Sequence, residues 1–309
     1  MRLGVDLGGT KIEIIAVDGA GGEQLRRRIA TPRGRYEGIV EAIARLVHGV
    51  EADLAAAGHA GPHSLGIGMP GSISPFSGTC VNSNSTELNG RPFHLDLQAA
   101  LGREIRFSND ANCLAVSEAV DGAGAGARVV FAAILGTGCG AGLALDGRAW
   151  DGPHRIAGEF GHNPLPWPSV EEVTAAPPCY CGKKGCLETW ISGTGFQNDF
   201  ARITGESRRG DAIIASMRSG EPAAAAAFDR YLDRLGRALA HVCNLLDPEV
   251  IVLGGGMSNV PELYPRLPGA ITPHLFAEHF VTPIRPAMHG DSSGVRGAAW
   301  LWPPDGLAG

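Results

Sequence analysis

Leu3-Gly-Val-Asp-Leu-Gly-Gly-Thr-Lys-Ile-Glu-Ile-Ile-Ala-Val17 consists of two apolar runs joined by a glycine turn. Leu3 to Leu7 reads as a short buried strand and Ile12 to Val17 as a β-branched one, so the pair predicts a β-hairpin with Gly8 and Gly9 at its tip. Asp6, Gly8, Gly9, Thr10 and Lys11 collect there. Bare glycine amides can surround an anion, and a hydroxyl and an ammonium can add to it, which makes the turn a candidate phosphate cradle. It is not a Walker loop, because Thr10 stands where the lysine should follow Gly9 and a strand comes next instead of a helix. Taken alone, an ordinary glycine hairpin explains it equally well.

A strand around Gln24 to Ala30 precedes a helical stretch, Tyr36 to Ala57, whose Ile39, Ile43, Leu46, Val47 and Leu54 fall on one face. Strand Leu65 to Ile67 then runs into the Pro70-Gly71 turn. Gly66, Gly68 and Gly71 spell G-x-G-x-x-G, but Pro70, Ser72, Ser74 and Pro75 make a loop where the dinucleotide fingerprint needs a helix. A strand at Ile105 to Phe107 delivers Asn109 and Asp110 to the start of a helix, Ala111 to Val120, where their plain reading is an N-cap. Gly122, Gly124 and Gly126 mark a boundary. A second cycle follows, with strand Val129 to Leu135, a turn through Gly136, Thr137, Gly138, Gly140 and Gly142, and strand Leu143 to Leu145. This weak internal repeat predicts duplicated lobes. Phe228, Leu232, Leu235, Leu239, Val242 and Leu246 form the seam of one long helix that Pro248 ends. Strand Val250 to Leu253 then opens into Gly254, Gly255 and Gly256, and a last helix is expected over about 292–303. Three glycine turns at the ends of buried strands, two of them opening separate lobes, fit a bound nucleotide.

The 309 residues exceed what one core comfortably supports. Apolar residues are 44% and charged residues 19%, an ordinary globular balance. With 26 basic against 32 acidic residues, the net charge is −6 and no basic stripe is present, which argues against a nucleic-acid partner. No secretion signal or membrane-length apolar stretch is visible, so a cytoplasmic protein is expected. Of seven cysteines, Cys80, Cys113, Cys139 and Cys243 read as small core residues. The other three join His162 in H-x16-C-x-C-x4-C: His162, Cys179, Cys181 and Cys186 are a tetrahedral zinc set of the closed, structural kind. Folding around the metal would gather Glu159 and Glu188, two carboxylates of the kind that accept from sugar hydroxyls.

These stretches together resemble the ROK (repressor, open reading frame, kinase) family, and within it the bacterial fructokinases that also accept mannose. The resemblance is carried by Asp6-Leu-Gly-Gly-Thr-Lys11, Ser108-Asn-Asp-Ala-Asn112, Leu135-Gly-Thr-Gly-Cys-Gly-Ala-Gly142, Gly158-Glu-Phe-Gly-His162, Cys179-Tyr-Cys-Gly-Lys-Lys-Gly-Cys-Leu-Glu188 and Leu253-Gly-Gly-Gly256. It implies an α/β fold of the actin-like ATPase (ribonuclease H-like) type, two lobes around a cleft, divided as 1–118 with the C-terminal helix and 119–291. It also implies ATP with Mg²⁺ as cofactor, phosphates at the first two glycine turns, and adenosine near Gly254 to Gly256. The catalytic base falls on Asp110. Sugar contacts fall on Asn109, Glu159, His162 and Glu188, with Gly71 and Asn84 nearby, and structural Zn²⁺ falls on His162 and the three cysteines. Fructose is the expected substrate, with mannose or glucose weaker and N-acetylglucosamine poorest, because Asn82 to Pro92 and the insertion Asn163 to Pro178 resemble the fructokinase-like branch. A glucokinase or N-acetylhexosamine kinase of the same family is the alternative, and a homodimer is one candidate assembly. A sugar-responsive regulator is disfavoured, since the phosphate turn at residue 8 leaves no room for a DNA-binding helix-turn-helix before it. An actin-like filament or chaperone ATPase would have no use for a zinc set flanked by two carboxylates.

Overall fold

The computed structural model describes residues 1–290 and 293–302. In chain order its regular elements are β1 (Arg2–Leu7), β2 (Lys11–Val17), β3 (Glu23–Ala30), α1 (Tyr36–Ala56), β4 (Ser64–Met69), β5 (Ser72–Ile73), β6 (Cys80–Val81), α2 (Phe93–Leu101), β7 (Arg106–Asn109), α3 (Asp110–Val120), β8 (Val129–Leu135), β9 (Cys139–Leu145) and β10 (Arg148–Ala149). They continue as α4 (Val170–Thr174), α5 (Glu188–Ile191), α6 (Gly193–Thr204), α7 (Gly210–Arg218), α8 (Pro222–Leu246), β11 (Val250–Gly254), α9 (Leu263–Ile271), β12 (Ile284–Pro286) and α10 (Ser293–Trp300). The expected last helix is α10; residues 292 and 303, the ends given to it, lie outside the described residues.

Two five-stranded sheets repeat one plan. The first has the order β3-β2-β1-β4-β7 and the second β10-β9-β8-β11-β12. In the first, β1, β2 and β3 pair antiparallel, and β4 joins β1 in parallel. In the second, β11 is parallel to both β8 and β12. The repeat visible in the sequence as strand, glycine turn, strand is thus a repeat of sheet topology. The second turn is shorter than expected: β9 begins at Cys139, so Gly140 and Gly142 belong to the strand and only Gly136 to Gly138 turn.

The described residues cluster into two compact units, one of 1–128, 142–157, 288–290 and 293–302, the other of 129–141 and 158–287. Residues 119–128 and 142–157, assigned to the second lobe from sequence, therefore pack with the first. The reason is local to α3. Gly142 passes so close to the backbone of Ala111 and Asn112 that a side chain there would collide with it. Leu143 N–H donates to Asn112 Oδ1 at 3.3 Å, and Asn112 Nδ2 and Ser108 Oγ donate to Asp151 at 2.7 and 3.1 Å.

The core of the first unit joins Leu3, Val5, Ile12 and Ile14 of the hairpin to Ile39, Ile43 and Val47 of α1. In the second unit α8 buries Phe228, Leu232, Leu235, Leu239 and Val242, as its periodicity requires. Leu246, expected in the same seam, is 42% exposed, since the helix stops there and Asp247 takes a left-handed φ of 43°.

Candidate active site

In the first unit, Asp6 lies one residue before the end of β1 and Asp110 opens α3. Asn109 caps that helix: its Oδ1 accepts the Ala111 N–H at 2.8 Å, as does Asp110 Oδ1, while its Nδ2 donates to the Gly71 carbonyl at 3.2 Å. The cap reading is therefore correct, and it is also what fixes Asp110 in place. Burial, then the nearby Asp110 and Glu13 carboxylates, raise the Asp6 carboxyl from its ordinary 3.8 to about 6. Gly9 and Thr10 stand exposed at the hairpin tip, and Gly8 is held by its own N–H to the Lys11 carbonyl at 3.0 Å and by Thr31 Oγ1 on its carbonyl at 2.7 Å. Lys11 opens β2 instead of lining the turn, with its ammonium 3.7 Å from the buried Glu13 carboxylate. Asn84 is exposed, between the buried Ser83 and Ser85.

In the second unit the turns after β8 and β11 come together. Gly255 has a φ of +79°, and a Cβ on it would lie 2.6 Å from the Leu135 carbonyl carbon, so only glycine allows this approach. Gly193 N–H donates to the Gly136 carbonyl at 2.7 Å. Around this junction lies a cavity of ≈ 650 Å³, lined in part by Gly136, Thr137, Thr194, Arg209, Gly256 and Met257. Its size suits a nucleotide, and the turn expected to hold phosphate and the one expected near adenosine both line it.

The metal set also assembles here. One donor atom from each of His162, Cys179, Cys181 and Cys186 lies within 4.8 Å of all the others. Three thiols and an imidazole gathered this tightly fit a tetrahedral zinc, whose 2.3 Å bonds to sulfur place such ligands roughly 4 Å apart. His162 Nδ1 faces Cys179 Sγ at 3.5 Å; Nε2 meets Tyr180 Oη at 2.9 Å and Glu159 Oε2 at 4.0 Å. Glu188 lies on the other side of Cys179, with Oε1 4.0 Å from its sulfur and Oε2 accepting the Cys139 N–H at 3.0 Å. Glu159, His162, Cys179 and Glu188 thus form one continuous run, and Glu188 ties it to the end of the second glycine turn. Tyr180 was missed from sequence, although its place between two ligand cysteines was a legible signal. Beside the Gly8 to Thr10 turn, the buried Ser85 Oγ has no hydrogen-bond partner among the described residues.

The model of the ROK family matches residues 2–304. The chain belongs to the ROK family. An N-acetyl-D-glucosamine kinase of Photobacterium profundum is 41% identical over 308 residues, covering 97% of this chain and 99% of that protein. One from Pectobacterium atrosepticum is 40% identical, covering 97% and 98%. Among solved structures, the ROK hexokinase of Thermus thermophilus superposes with a TM-score of 0.84 at 30% identity, 97% of each chain being covered. A ROK family glucokinase of Streptomyces griseus, solved with glucose and AMPPNP, gives 0.73 at 28% identity over 97% and 98% of the two chains. The α/β fold of this ROK protein is accordingly that of the actin-like sugar kinases. Among the described residues, no helix is long and apolar enough to cross a membrane.

Proposed function

We propose that the chain is an ATP-dependent kinase acting on the 6-hydroxyl of a hexose, with Mg²⁺ carried on ATP and a structural zinc on His162, Cys179, Cys181 and Cys186. Its full-length similarity to sugar kinases carries the reading, and the geometry of each unit supports it. In-line transfer of a phosphoryl group leaves a protein mainly positioning and charge neutralisation to supply. Asp110, held at a helix N-terminus that favours its ionised form, accepts the hydroxyl proton as attack proceeds. Asp6 stands beside it to face the cation that accompanies the phosphates, and the Gly8 to Thr10 turn receives the phosphates. Gly136 to Gly138 and Gly254 to Gly256 hold the nucleotide in the second unit. Asn84, Asn109, Glu159, His162 and Glu188 take the non-reacting hydroxyls. Zinc holds the loop that carries two of these groups and fixes the ring orientation of His162. ATP as donor makes the cytoplasm the site of reaction.

For the acceptor, the relatives named above support N-acetylglucosamine ahead of fructose. Fructose is kept as a second reading on the resemblance of 82–92 and 163–178 to fructokinase-like members, while the glycine turns and metal ligands are common to all acceptor types. At 41% identity more than half of the positions differ. One hydroxyl left unpaired changes discrimination by only ~1 to 3 kcal/mol, so a few such positions decide the ranking. The deciding measurement is kcat/KM for N-acetylglucosamine, fructose, mannose and glucose at saturating Mg-ATP, with the phosphorylated carbon identified by NMR. N-acetylglucosamine in first place supports the first reading and fructose the second. Absence of hexose-dependent ADP release with all four overturns both.

A further inference from the structure

Residues 163–178 link the first two members of the metal set and fold back upon it as a strap. Pro164 forms an antiparallel bridge with Cys186. Leu187 N–H donates to the Asn163 carbonyl at 2.8 Å, and Leu165 N–H to the Gly185 carbonyl at 3.2 Å. Midway, α4 opens with a reciprocal cap, Ser169 Oγ accepting the Glu172 N–H at 3.2 Å and Glu172 Oε2 accepting the Ser169 N–H at 3.0 Å.

That cap aims the Glu172 carboxylate into α8. Arg234 Nε donates to it at 2.7 Å, and the two terminal nitrogens of Arg237 donate to it at 3.0 and 2.8 Å. Arg237 also donates to the carbonyls of Pro166 and Trp167, at 3.1 and 2.9 Å, which holds Trp167 at a φ of +46°. Burial opposes ionisation of Glu172, yet the Arg237 and Arg234 guanidiniums hold its carboxyl down at about 2. Arg234 and Arg237 are only 3% and 5% exposed. Charges this well desolvated depend on their partners' geometry, unlike surface pairs that slide freely. Arg234 reaches further: its guanidinium lies 4.5 Å over the ring of Trp190 and 3.0 Å from Asp199. Trp190 is 2% exposed and shares the single-turn helix α5 with Glu188.

We infer that Glu172 and Arg234 are positioning residues for hexose binding: Glu172 clamps the strap to Arg234, and Arg234, stacked on Trp190, sets where Glu188 stands relative to His162 and Cys179. The clamp rests on the hexose-kinase reading. It gives the insertion a part in acceptor recognition without any contact of its own to the sugar. A structural staple would affect nucleotide and sugar alike, whereas this clamp acts on the sugar side.

Glu172→Gln keeps length and an acceptor for the cap while removing the charge that both arginines face. Hexose affinity is measured by calorimetry and by KM, using whichever of N-acetylglucosamine or fructose the wild type prefers. We expect hexose Kd and KM to rise ~10-fold, the scale seen when groups that orient a binding residue are lost. With kcat and the KM for ATP staying within ~3-fold, the loss would be one of ground-state binding. Glu172→Asp should recover part of the affinity. Ser169→Ala, at an exposed position that leaves the arginines untouched, should shift hexose affinity in the same direction by a smaller factor. Unchanged hexose Kd in both Glu172→Gln and Ser169→Ala overturns the clamp, as does a KM for ATP that rises in step with that for hexose. Failure of the kinase reading looks different: the wild type shows no hexose-dependent ADP release, and calorimetric binding then still decides the clamp.

Discussion

At the scale of single residues, the proposed reaction assigns the base to Asp110 and the cation to Asp6, whose carboxyl the Asp110 charge helps to raise. Asp110→Asn preserves the size and the N-terminal position on α3 while removing the proton acceptor. We expect hexose and ATP affinities within ~3-fold of wild type and kcat lower by ~10²-fold or more; near-wild-type turnover would remove Asp110 from the role. Asp6 gives a pH test with a definite sign. Its folded pKa of about 6 lies above its ordinary 3.8, so between those values the folded protein binds more protons than the unfolded chain. Stability is therefore lost as pH rises through that window, and the whole penalty is present above about pH 6. Asp6→Asn removes the penalty. The variant should be more stable than wild type at about pH 8 by ~1–3 kcal/mol, with the gain shrinking towards about pH 4, while kcat/KM for Mg-ATP falls ~10-fold or more. Urea melts at the two pH values check it, and an equal gain at both would show that ionisation of Asp6 is not the cause.

At the scale of elements, the proposed zinc would be a local staple with a long reach. His162 ends a single 3-10 turn that also carries Glu159, Cys179 and Cys181 flank Tyr180, and Cys186 precedes α5 with Glu188 at its start. These pieces are single helical turns and a short loop, so the metal is expected to add to their geometry. Cys181→Ser, or chelation of the wild type, should lower thermal stability and hexose affinity together. Metal analysis should find about one zinc per chain in the wild type and little in the variant. Freshly purified protein that is metal-free and binds hexose fully would remove the site. The ligand set was readable because its four donors fall in one short stretch. Glu172 was not, since a glutamate in a proline-rich loop is ordinary until two arginines of α8 are found buried against it. Both arginines lie off the apolar seam, and periodicity alone would have placed them in solvent.

At the scale of the whole molecule, the last helix returns to the first strand. α10 packs on β1, β4 and α3, burying Val295, Ala298, Ala299 and Trp300. Gly4 and Gly297 permit backbone contact at these crossings. Glu118, fully buried, fixes the approach by accepting from Met288 N–H at 3.0 Å and Ser293 Oγ at 3.0 Å. Asp121 accepts from Trp300 Nε1 at 3.0 Å and pairs with Arg296. Truncation after Ala287 would strip the cover from the first sheet, and burying one valine and one tryptophan is worth about 5 kcal/mol, comparable with the net stability of a domain. The truncated chain should lack a cooperative thermal transition by circular dichroism. A melt like that of the full chain would show that α10 is dispensable.

The sequence by itself determined the hairpin at Gly8 and Gly9, the seam of α8, the repeat of strand and glycine turn, and the gathering of His162 with Cys179, Cys181 and Cys186. Each of these is written in a period or a spacing within a few dozen residues, where backbone geometry leaves few alternatives. Tertiary structure alone decided that 142–157 joins the first unit, that the Asn109 amide reaches the Gly71 carbonyl, and that Lys11 pairs with Glu13. It also decided that Glu172 enters α8. These depend on which surfaces meet between residues distant in the chain, and on burial that makes a charge choose one partner, a selection that no local pattern encodes.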